Sequence, residues 1–562
     1  MKSEPLNVLT VNHLQICFPQ KNEEPFLAVK DLSFTLQKGK VLAIVGESGS
    51  GKSLTALAFM GLLPKSAMVN GTVFLQTAAQ KYQLGTSLSA KDWQTIRGSE
   101  VGMIFQEPMS SLNPVMTVGR QLQETLMAHQ PLSNAEAKKR AIAWLRDVKI
   151  SQPEQSYHKY PHELSGGQKQ RVMIAMAMCN SPAVLIADEP TTALDVTVQS
   201  EIIKLMKQLQ QKENAAMIFI THDLSLASEI ADEVLVMYKG AVMEYDHAAN
   251  IFQSPQNAYT RALIACKPSV EDKGKPLPVV ADFMNDIPLG SGKSYPVLAT
   301  NDVLLNVKDL KIWFGEKTHW WNKEDSYFKA VDNVSFELMR GEVLGLVGES
   351  GCGKSTLSKS LMGLLPVREG QILYEGNDIS KHTAAQRRKL STEIQMIFQD
   401  PYSSLNPRLT VGELLTEPMK VHQIVLPGDL KKEALRLLDL VQLPTDAFQR
   451  YPHQFSGGQR QRIGIARALS LRPKLLICDE SVSALDVSVQ AQILNLLKDL
   501  QQELSLSYLF ISHDLSVVHY ISDRVMVMQS GNIVEQGDAT QVLHHPQHIY
   551  TQKLIEAMPE LK

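Results

Sequence analysis

The sequence lacks an apolar run long enough to cross a bilayer. No stretch approaches the roughly 18 to 20 apolar residues that a membrane span requires. Near the start, Lys2 is followed by Glu4 and Pro5, and the apolar segment of a secretion signal is missing. We therefore expect a cytosolic or peripheral chain, so that any membrane-spanning segments would come from other subunits.

Cysteine is scarce and basic charge is not in excess. No two of the 5 cysteines lie close in sequence, which excludes the CxxC pairs of common zinc and redox sites. We expect these cysteines to be buried in a reducing compartment. With 56 Lys and Arg against 59 Asp and Glu, the net charge of -3 argues against a nucleic-acid partner. The cysteines are Cys17, Cys179, Cys266, Cys352 and Cys478.

The sequence does contain one long repeat, which is present in two copies. The letters GESGSGKS at 46–53 return as GESGCGKS at 348–355, and each copy is followed in the same order by FQ, SGGQ, DE, ALD and HD. From SGGQ onward the two copies keep a constant offset, because Gln168 and Gln459 differ by 291 positions and so do Tyr259 and Tyr550. A period this long indicates a duplicated domain.

The repeat divides the 562 residues into two units and a linker. Unit one covers residues 1–268 and unit two covers residues 303–562. Residues 269–302 carry charges, prolines and glycines without a sustained period, which predicts a flexible linker.

Apolar runs predict an α/β fold for each unit. Residues 41–45, 184–187 and 217–220 are continuous apolar runs, typical of strands buried on both faces. Each run ends at polar residues, as the carboxyl ends of parallel strands in an α/β sheet would. A helix is expected over 54–63, and the helical pattern between 106 and 165 predicts a helical subdomain inserted into a mixed-sheet core.

The spacing GxxxxGK[ST] predicts a phosphate-binding loop in each unit. Glycines let successive backbone N–H groups curl around phosphate oxygens, and the following helix adds its positive N-terminus. Lys52 and Lys354 would reach the β- and γ-phosphates, and Ser53 and Ser355 would bind Mg²⁺. The glycines assigned to the two loops are Gly46, Gly49, Gly51, Gly348, Gly351 and Gly353.

An acidic pair follows a predicted strand in both units. Asp188 and Asp479 are placed to hold Mg²⁺. Glu189 and Glu480 come next, where a carboxylate can polarise the water that attacks the γ-phosphate. The alternative is a solvated acidic pair at a strand end, and it is less favoured here because a phosphate-binding loop precedes the pair.

A glutamine and a histidine complete each candidate site. Gln106 and Gln399 each follow Met-Ile-Phe and are further candidate Mg²⁺ contacts, with an ordinary loop amide as the alternative. His222 and His513 each follow an apolar run. A lone histidine is usually structural, but the matching positions favour a γ-phosphate contact.

The SGGQ segments form a second anion-binding element in each unit, because a serine and two glycines open a predicted helix there. Two such elements per unit favour two domains arranged head to tail, each completing the site of the other. The residues are Ser165, Gly166, Gly167, Gln168, Ser456, Gly457, Gly458 and Gln459.

In this order the motifs resemble those of the ATP-binding cassette (ABC) family over nearly the whole chain. The resemblance implies that ATP lies between the loop of one unit and the SGGQ signature of the other: site one would add Ser456 and Gly458, and site two Ser165 and Gly167. It also implies that Asp195 and Asp486 lie at that interface. Phe18 and Phe314 match the position of an aromatic that stacks on adenine, with core packing as the alternative. Both sites are expected to hydrolyse ATP, although Ser481 stands where unit one has Pro190.

Further motifs narrow the resemblance to dipeptide, oligopeptide and nickel importers. SSLNP occurs at 110–114 and 403–407, and YTRAL at 259–263 is echoed by Tyr550 and Thr551. Fused ATPases of glutathione and microcin-type peptide importers are similar. The resemblance implies an ATP-hydrolysing, energy-coupling subunit at the cytoplasmic face of the inner membrane. Its partners would be two transmembrane permease subunits and, indirectly, an extracytoplasmic substrate-binding protein.

Some points stay open from the sequence. Residues 267–302 contain no cysteine, so we expect no iron–sulfur cluster. Oligopeptide, dipeptide, glutathione, nickel and peptide antibiotics all remain candidate substrates. A twin-cassette factor acting on ribosomes is the alternative, although its linker is usually longer, basic and helical. Trp320 and Trp321 mark either a partner surface or local packing.

Overall fold

A computed structural model describes most of the chain and divides it into two compact units. Unit 1 is mainly Met1–Ile264, and unit 2 is mainly Ala265–Asp282 with Ile287–Met558. The described ranges are residues 6–21, 24–78, 80–85, 88–106, 111–191, 194–285, 294–315, 327–400, 404–483 and 485–558.

The central strands of unit 1 are parallel. Strand β3 pairs with β8 and β9, and β7 pairs with β6 and β8, in parallel register. Strands β1, β2, β4 and β5 are antiparallel to one another. They join the rest of the sheet through a parallel pairing of β2 with β10, at Asp31 and Ala241. The sheet order in the described residues is β5-β4-β1-β2-β10-β9-β3-β8-β7-β6. The strands are β1 (Asn7–Phe18), β2 (Phe26–Gln37), β3 (Val41–Gly46), β4 (Met68–Gln76), β5 (Lys81–Leu84), β6 (Val101–Ile104), β7 (Val184–Asp188), β8 (Ala216–Thr221), β9 (Glu233–Tyr238) and β10 (Ala241–His247).

Helices cover both faces of the parallel part. Capping side chains set several starts, as at Ser133, whose hydroxyl accepts from the N–H of Glu136. The helix expected over 54–63 runs instead from Lys52 to Phe59, because Gly61 turns the chain with a φ of 58°. The helices are α1 (Lys52–Phe59), α2 (Ala90–Ile96), α3 (Val118–His129), α4 (Asn134–Asp147), α5 (Pro153–Ser156), α6 (Gly166–Met178), α7 (Val196–Glu213), α8 (Leu224–Ile230), α9 (Ala248–Gln253) and α10 (Ala258–Ala265).

The two faces of this sheet bury different helices. On β7, Val184 and Ile186 belong to the core cluster that contains Phe59 of α1, whereas Leu185 and Ala187 belong to the cluster that contains α6 and α7. Side chains alternate between faces along a strand, so the two clusters lie on opposite sides. The phosphate-loop helix α1 and the helix α6 that carries SGGQ are therefore separated by the thickness of the sheet.

Unit 2 repeats the parallel order. Strands β16, β17, β18 and β13 are parallel neighbours, and the described sheets run β12-β11-β14-β15 and β16-β17-β18-β13-β19-β20. The strands are β11 (Val303–Gly315), β12 (Tyr327–Met339), β13 (Val343–Val347), β14 (Glu369–Tyr374), β15 (Asn377–Asp378), β16 (Ile394–Ile397), β17 (Leu475–Asp479), β18 (Ser507–Ile511), β19 (Arg524–Gln529) and β20 (Asn532–Asp538).

The helices of unit 2 follow the same plan, preceded by one helix from the segment between the repeats. They are α11 (Val280–Met284), α12 (Lys354–Leu361), α13 (Ala384–Leu390), α14 (Val411–Val421), α15 (Leu430–Leu440), α16 (Gly457–Leu469), α17 (Val487–Leu504), α18 (Leu515–Ile521), α19 (Ala539–His544) and α20 (Ile549–Glu556). The prediction of an α/β fold, with a mixed-sheet core and an inserted helical subdomain in each unit, is confirmed. Among the described residues, no helix combines the length and apolarity needed to cross a membrane.

The segment expected to be a flexible linker is packed where the structure describes it. Leu277 is buried, its N–H donates to Asn495 Oδ1 at 2.8 Å, and its carbonyl accepts from Asn495 Nδ2 at 2.8 Å. The hydroxyl of Tyr295, also buried, donates to Asp499 at 3.0 Å. Apolar burial and satisfied backbone groups thus attach this segment to helix α17, which composition alone did not indicate.

Candidate functional site

In unit 1, the strand order brings the predicted site residues together. The neighbours β3, β8, β7 and β6 are parallel, so their carboxyl ends share one edge of the sheet. The phosphate-binding loop follows β3, Asp188 ends β7, Gln106 follows β6 and His222 follows β8. The α/β order therefore converts residues distant in sequence into one site.

The loop of unit 1 closes around its own lysine. Lys52 is buried, and its Nζ donates to the carbonyls of Gly46 at 2.7 Å and Glu47 at 2.8 Å. Gly51 has a φ of 101°, and a Cβ on it would lie 2.7 Å from the carbonyl oxygen of Ala28. The loop therefore requires glycine here, both for its backbone conformation and for its close approach to β2.

The serine and aspartate assigned to Mg²⁺ are in contact. Ser53 Oγ donates to Asp188 Oδ1 at 3.1 Å. Burial raises the pKa of Asp188 to about 6, opposed by the Ser53 hydrogen bond and the charge of Lys52 and reinforced by Glu189. A buried carboxylate with a raised pKa is stabilised by a cation, and hydroxyl and carboxylate oxygens are ligands that Mg²⁺ prefers.

Glu189 lies between the predicted glutamine and histidine. Its Oε2 accepts from Gln106 Nε2 at 3.1 Å and lies 3.3 Å from His222 Nδ1. Its backbone is left-handed, with a φ of 47°, and its N–H donates to Ile220 at 3.0 Å. A non-glycine residue held in that region of φ carries strain, which is common where a side chain must be aimed.

Unit 2 reproduces this arrangement. Lys354 Nζ donates to the carbonyls of Gly348 at 2.7 Å and Glu349 at 2.9 Å. Ser355 Oγ donates to Asp479 Oδ1 at 3.4 Å, and Ser358 donates to its other oxygen at 3.4 Å. Burial, with the neighbouring Glu480, raises the pKa of Asp479.

The second glutamate and histidine also lie side by side. Glu480 Oε2 lies 3.8 Å from His513 Nδ1 and accepts from Gln399, and the φ of Glu480 is 48°. Burial alone would raise the pKa of Glu480, but His513 and Gln399 outweigh it and the pKa is lowered. Burial likewise opposes charge on His513, yet Glu480 raises the pKa of the imidazole.

The SGGQ residues cap helices away from these clusters. Ser165 is the N-cap of α6, where its hydroxyl accepts from the N–H of Gln168 at 3.3 Å and Gln168 Oε1 accepts from the N–H of Ser165 at 3.1 Å. Ser456 and Gln459 form the same reciprocal cap on α16. Gly167 is needed because a Cβ there would lie 2.6 Å from Val198 of α7.

The remaining predicted residues lie at element ends. Asp195 caps α7 by accepting from the N–H of Val198 at 3.0 Å, and Asp486 precedes α17. Phe18 is half-buried against the core of unit 1, whereas Phe314 is exposed near the end of β11. Ser110, Ser403, Trp320 and Trp321 lie outside the described residues.

Tail tyrosines contact the phosphate-binding loops, which sequence reasoning did not foresee. The hydroxyl of Tyr259 accepts from the N–H of Glu47 at 3.3 Å, and that of Tyr550 accepts from the N–H of Glu349 at 3.1 Å. The signal available in the sequence was that Tyr259 and Tyr550 occupy equivalent positions in the two units. Nothing in the spacing indicated a contact 212 and 201 positions away.

Comparison with known proteins gives the family. The ABC transporter model matches residues 29–192 and 331–483, one segment in each unit. The chain belongs to the ABC transporter family. A second model, of the oligopeptide/dipeptide transporter C-terminal region, matches residues 243–284 and 534–562.

Relatives match over nearly the full length of the chain. The glutathione import ATP-binding protein GsiA of Shigella sonnei (strain Ss046) is 47% identical over 98% of this chain and 90% of the relative. Its namesake in Escherichia coli (strain K12) is 46% identical over the same shares. A solved dimeric cassette bound to ADP and Pi matches 43% of this chain, at 26% identity and a TM-score of 0.38. The chain is thus an ATP-binding ATPase of this family, and the relatives support the importer reading, not the ribosomal alternative.

Proposed function

We propose that this chain is the energy-coupling ATPase of an importer for peptides or peptide-like molecules. The observation that carries the proposal is the convergence, in both units, of a loop lysine, a serine–aspartate pair, and a glutamate that accepts a hydrogen bond from glutamine and lies within 4 Å of histidine. The match to the oligopeptide/dipeptide transporter C-terminal region supports peptides as the substrate class. Relatives that are 46–47% identical are named for glutathione import.

Each cluster is proposed to divide the work of hydrolysis among its residues. Lys52 leaves the carbonyls of its own loop to bind the β- and γ-phosphates, while Ser53 and Asp188 hold Mg²⁺ with Gln106 beside them. Bound there, Mg²⁺ neutralises charge on the phosphates. Glu189 polarises the attacking water, and His222 contacts the γ-phosphate. Lys354, Ser355, Asp479, Gln399, Glu480 and His513 take the same roles in unit 2.

We further propose that both ATP sites are composite and head to tail. The sheet separates α1 from α6 within unit 1, so the SGGQ element of a unit is poorly placed to serve the loop of that unit. Site one would combine Lys52 with Ser456 and Gly458, and site two would combine Lys354 with Ser165 and Gly167. Asp195 and Asp486 would lie beside these sites, with Phe18 and Phe314 near the adenines.

Paired substitutions test the composite arrangement. Ser165→Arg with Lys354→Ala disables only site two, so a photoreactive ATP analogue that is bound without hydrolysis should still label unit 1. Ser165→Arg with Lys52→Ala disables both sites and should abolish labelling. If each unit used its own signature, the outcomes would be reversed: Ser165→Arg with Lys354→Ala would not label, and Ser165→Arg with Lys52→Ala would label unit 2.

The proposed partners are two transmembrane permeases, with a substrate-binding protein outside the membrane. The chain would then work at the cytoplasmic face of the inner membrane, closing on ATP and reopening after hydrolysis. Affinity purification of the tagged chain in mild detergent, followed by mass spectrometry, tests this. Two polytopic permeases are expected; ribosomal proteins without any permease would refute the importer.

A further inference from the structure

The tail of each unit reaches back to the start of its phosphate-binding loop. Tyr259 opens α10 in unit 1 and Tyr550 opens α20 in unit 2, within the regions matched by the oligopeptide-type tail model. Tyr259 is fully buried, with its ring centroid 4.3 Å from that of Tyr238 and the two rings tilted by 33°, and Tyr550 is buried as well. Both hydroxyls accept from a loop N–H, that of Glu47 or Glu349.

The hydrogen bond fixes one particular peptide unit. The N–H of Glu47 and the carbonyl of Gly46 belong to the same planar peptide group. Tyr259 holds its N–H, and Lys52 Nζ holds its carbonyl at 2.7 Å. When Lys52 turns to a phosphate, it can no longer hold that carbonyl, so the tyrosine becomes the more important restraint on the orientation of the peptide.

The tyrosine is itself held by a carboxylate clamp that recurs in both tails. In unit 1, Glu244 accepts from the N–H of Gln256 at 2.8 Å and of Asn257 at 3.2 Å. Asn257 Oδ1 in turn accepts from the N–H of Tyr259 at 2.8 Å.

The clamp in unit 2 uses the equivalent positions. Glu535 accepts from the N–H of Gln547 at 2.8 Å and of His548 at 3.1 Å, and His548 Nδ1 accepts from the N–H of Tyr550 at 3.2 Å. Although the side chain changes from asparagine to histidine, the contact with the tyrosine N–H is kept. The restraint on the tyrosine backbone therefore does not depend on one residue type.

We propose that Tyr259 and Tyr550 are positioning residues, through which each oligopeptide-type tail holds its phosphate-binding loop in the shape that receives ATP. The proposal rests on the ATP sites proposed above. It gives the tail a role in nucleotide binding, and it predicts that damage to the tail raises the KM for ATP before it affects the chemical step.

The test is the full-length double variant Tyr259→Phe with Tyr550→Phe, which keeps both rings and removes both hydroxyl acceptors. We expect the KM for ATP and the Kd for a fluorescent ADP analogue to rise about five-fold, the factor that one hydrogen bond of ordinary net strength provides. At saturating ATP, kcat should stay within about two-fold, because the groups in contact with the attacking water are unchanged.

Tyr245→Phe is the matched control, because it removes a hydroxyl on the same tail whose partners, Glu233 at 2.7 Å and the carbonyl of Thr35 at 3.4 Å, lie outside the loop. It should leave KM and Kd at wild-type values. A Tyr259/Tyr550 variant that only melts earlier, with unchanged KM and Kd, would overturn the proposal. Should the double variant fail to fold, the single Tyr550→Phe variant must show the same shift in Kd. A wild-type protein that binds no nucleotide would instead refute the ATP sites themselves.

Discussion

Replacing Glu189 with glutamine separates two models of how the ATP sites cooperate. The side chain keeps its size, and glutamine tolerates the φ of 47° about as well as glutamate does, so the backbone gains little new strain. What is lost is the negative charge between Gln106 and His222. The substitution therefore tests the proposed base without reshaping the loop.

The expected size of the effect follows from the role proposed for Glu189. Removing a general base slows the chemical step about 10²- to 10⁴-fold, and each factor of ten corresponds to about 1.4 kcal/mol of barrier. If the two sites hydrolysed independently, the unchanged site containing Glu480 would keep half of the total rate. If the sites are coupled, nearly all of the activity should disappear.

The assay is steady-state phosphate release by the purified chain at saturating Mg-ATP. Nucleotide affinity should not fall, because Lys52 and its loop are intact. Glu201→Gln is the control: Glu201 is an exposed carboxylate paired with Arg171, so its loss should leave the rate unchanged. A Glu189→Gln protein that keeps about half of the wild-type rate or more would refute strict coupling.

Three further outcomes are expected. Lys354→Ala should abolish nucleotide binding at one of two sites, halving the stoichiometry of a fluorescent ATP analogue; a stoichiometry of two would contradict its role. Because the pKa of Asp188 is raised to about 6, its charged form is complete only above that pH. Below pH 6 the apparent Mg²⁺ affinity should fall about ten-fold per pH unit, and excess Mg²⁺ should restore hydrolysis. Equal Mg²⁺ dependence at pH 5 and 8 would count against Asp188 as a Mg²⁺ ligand. Asn495→Ala removes both hydrogen bonds to Leu277 and should lower the free energy of unfolding of unit 2 by about 1–3 kcal/mol, measured by urea unfolding. An unchanged unfolding midpoint would mean that the packed segment does not stabilise unit 2.

Sequence reasoning worked best where strand ends determine the position of a residue. Apolar runs marked β3, β7 and β8, and the polar residue after each run was predicted to be functional. Parallel neighbours bring such residues to one edge whatever their distance in sequence. This is why the sequence alone groups Asp188 and His222 with Lys52.

Sequence reasoning failed where the decisive contact is a hydrogen bond between remote segments. The contact between Tyr259 and Glu47 has no local signature, because a buried tyrosine in a helix looks like core packing. Likewise, the segment around Leu277 has the prolines and charges of a linker, yet Asn495 satisfies both of its backbone groups. Composition reports average polarity and does not reveal a specific partner.

The duplication of the chain has a physical rationale in the sheet itself. A helix N-terminus favours phosphate, and unit 1 has two that carry glycine-rich anion-binding elements, at α1 and at α6. The sheet lies between these helices, so one unit cannot readily direct both at a single phosphate chain. In the proposed head-to-tail arrangement, covalent linkage of two units would supply the second helix at high effective concentration without a separate assembly step. In this view, the two copies stay alike because each unit contributes to two sites: its loop serves one, and its signature serves the other.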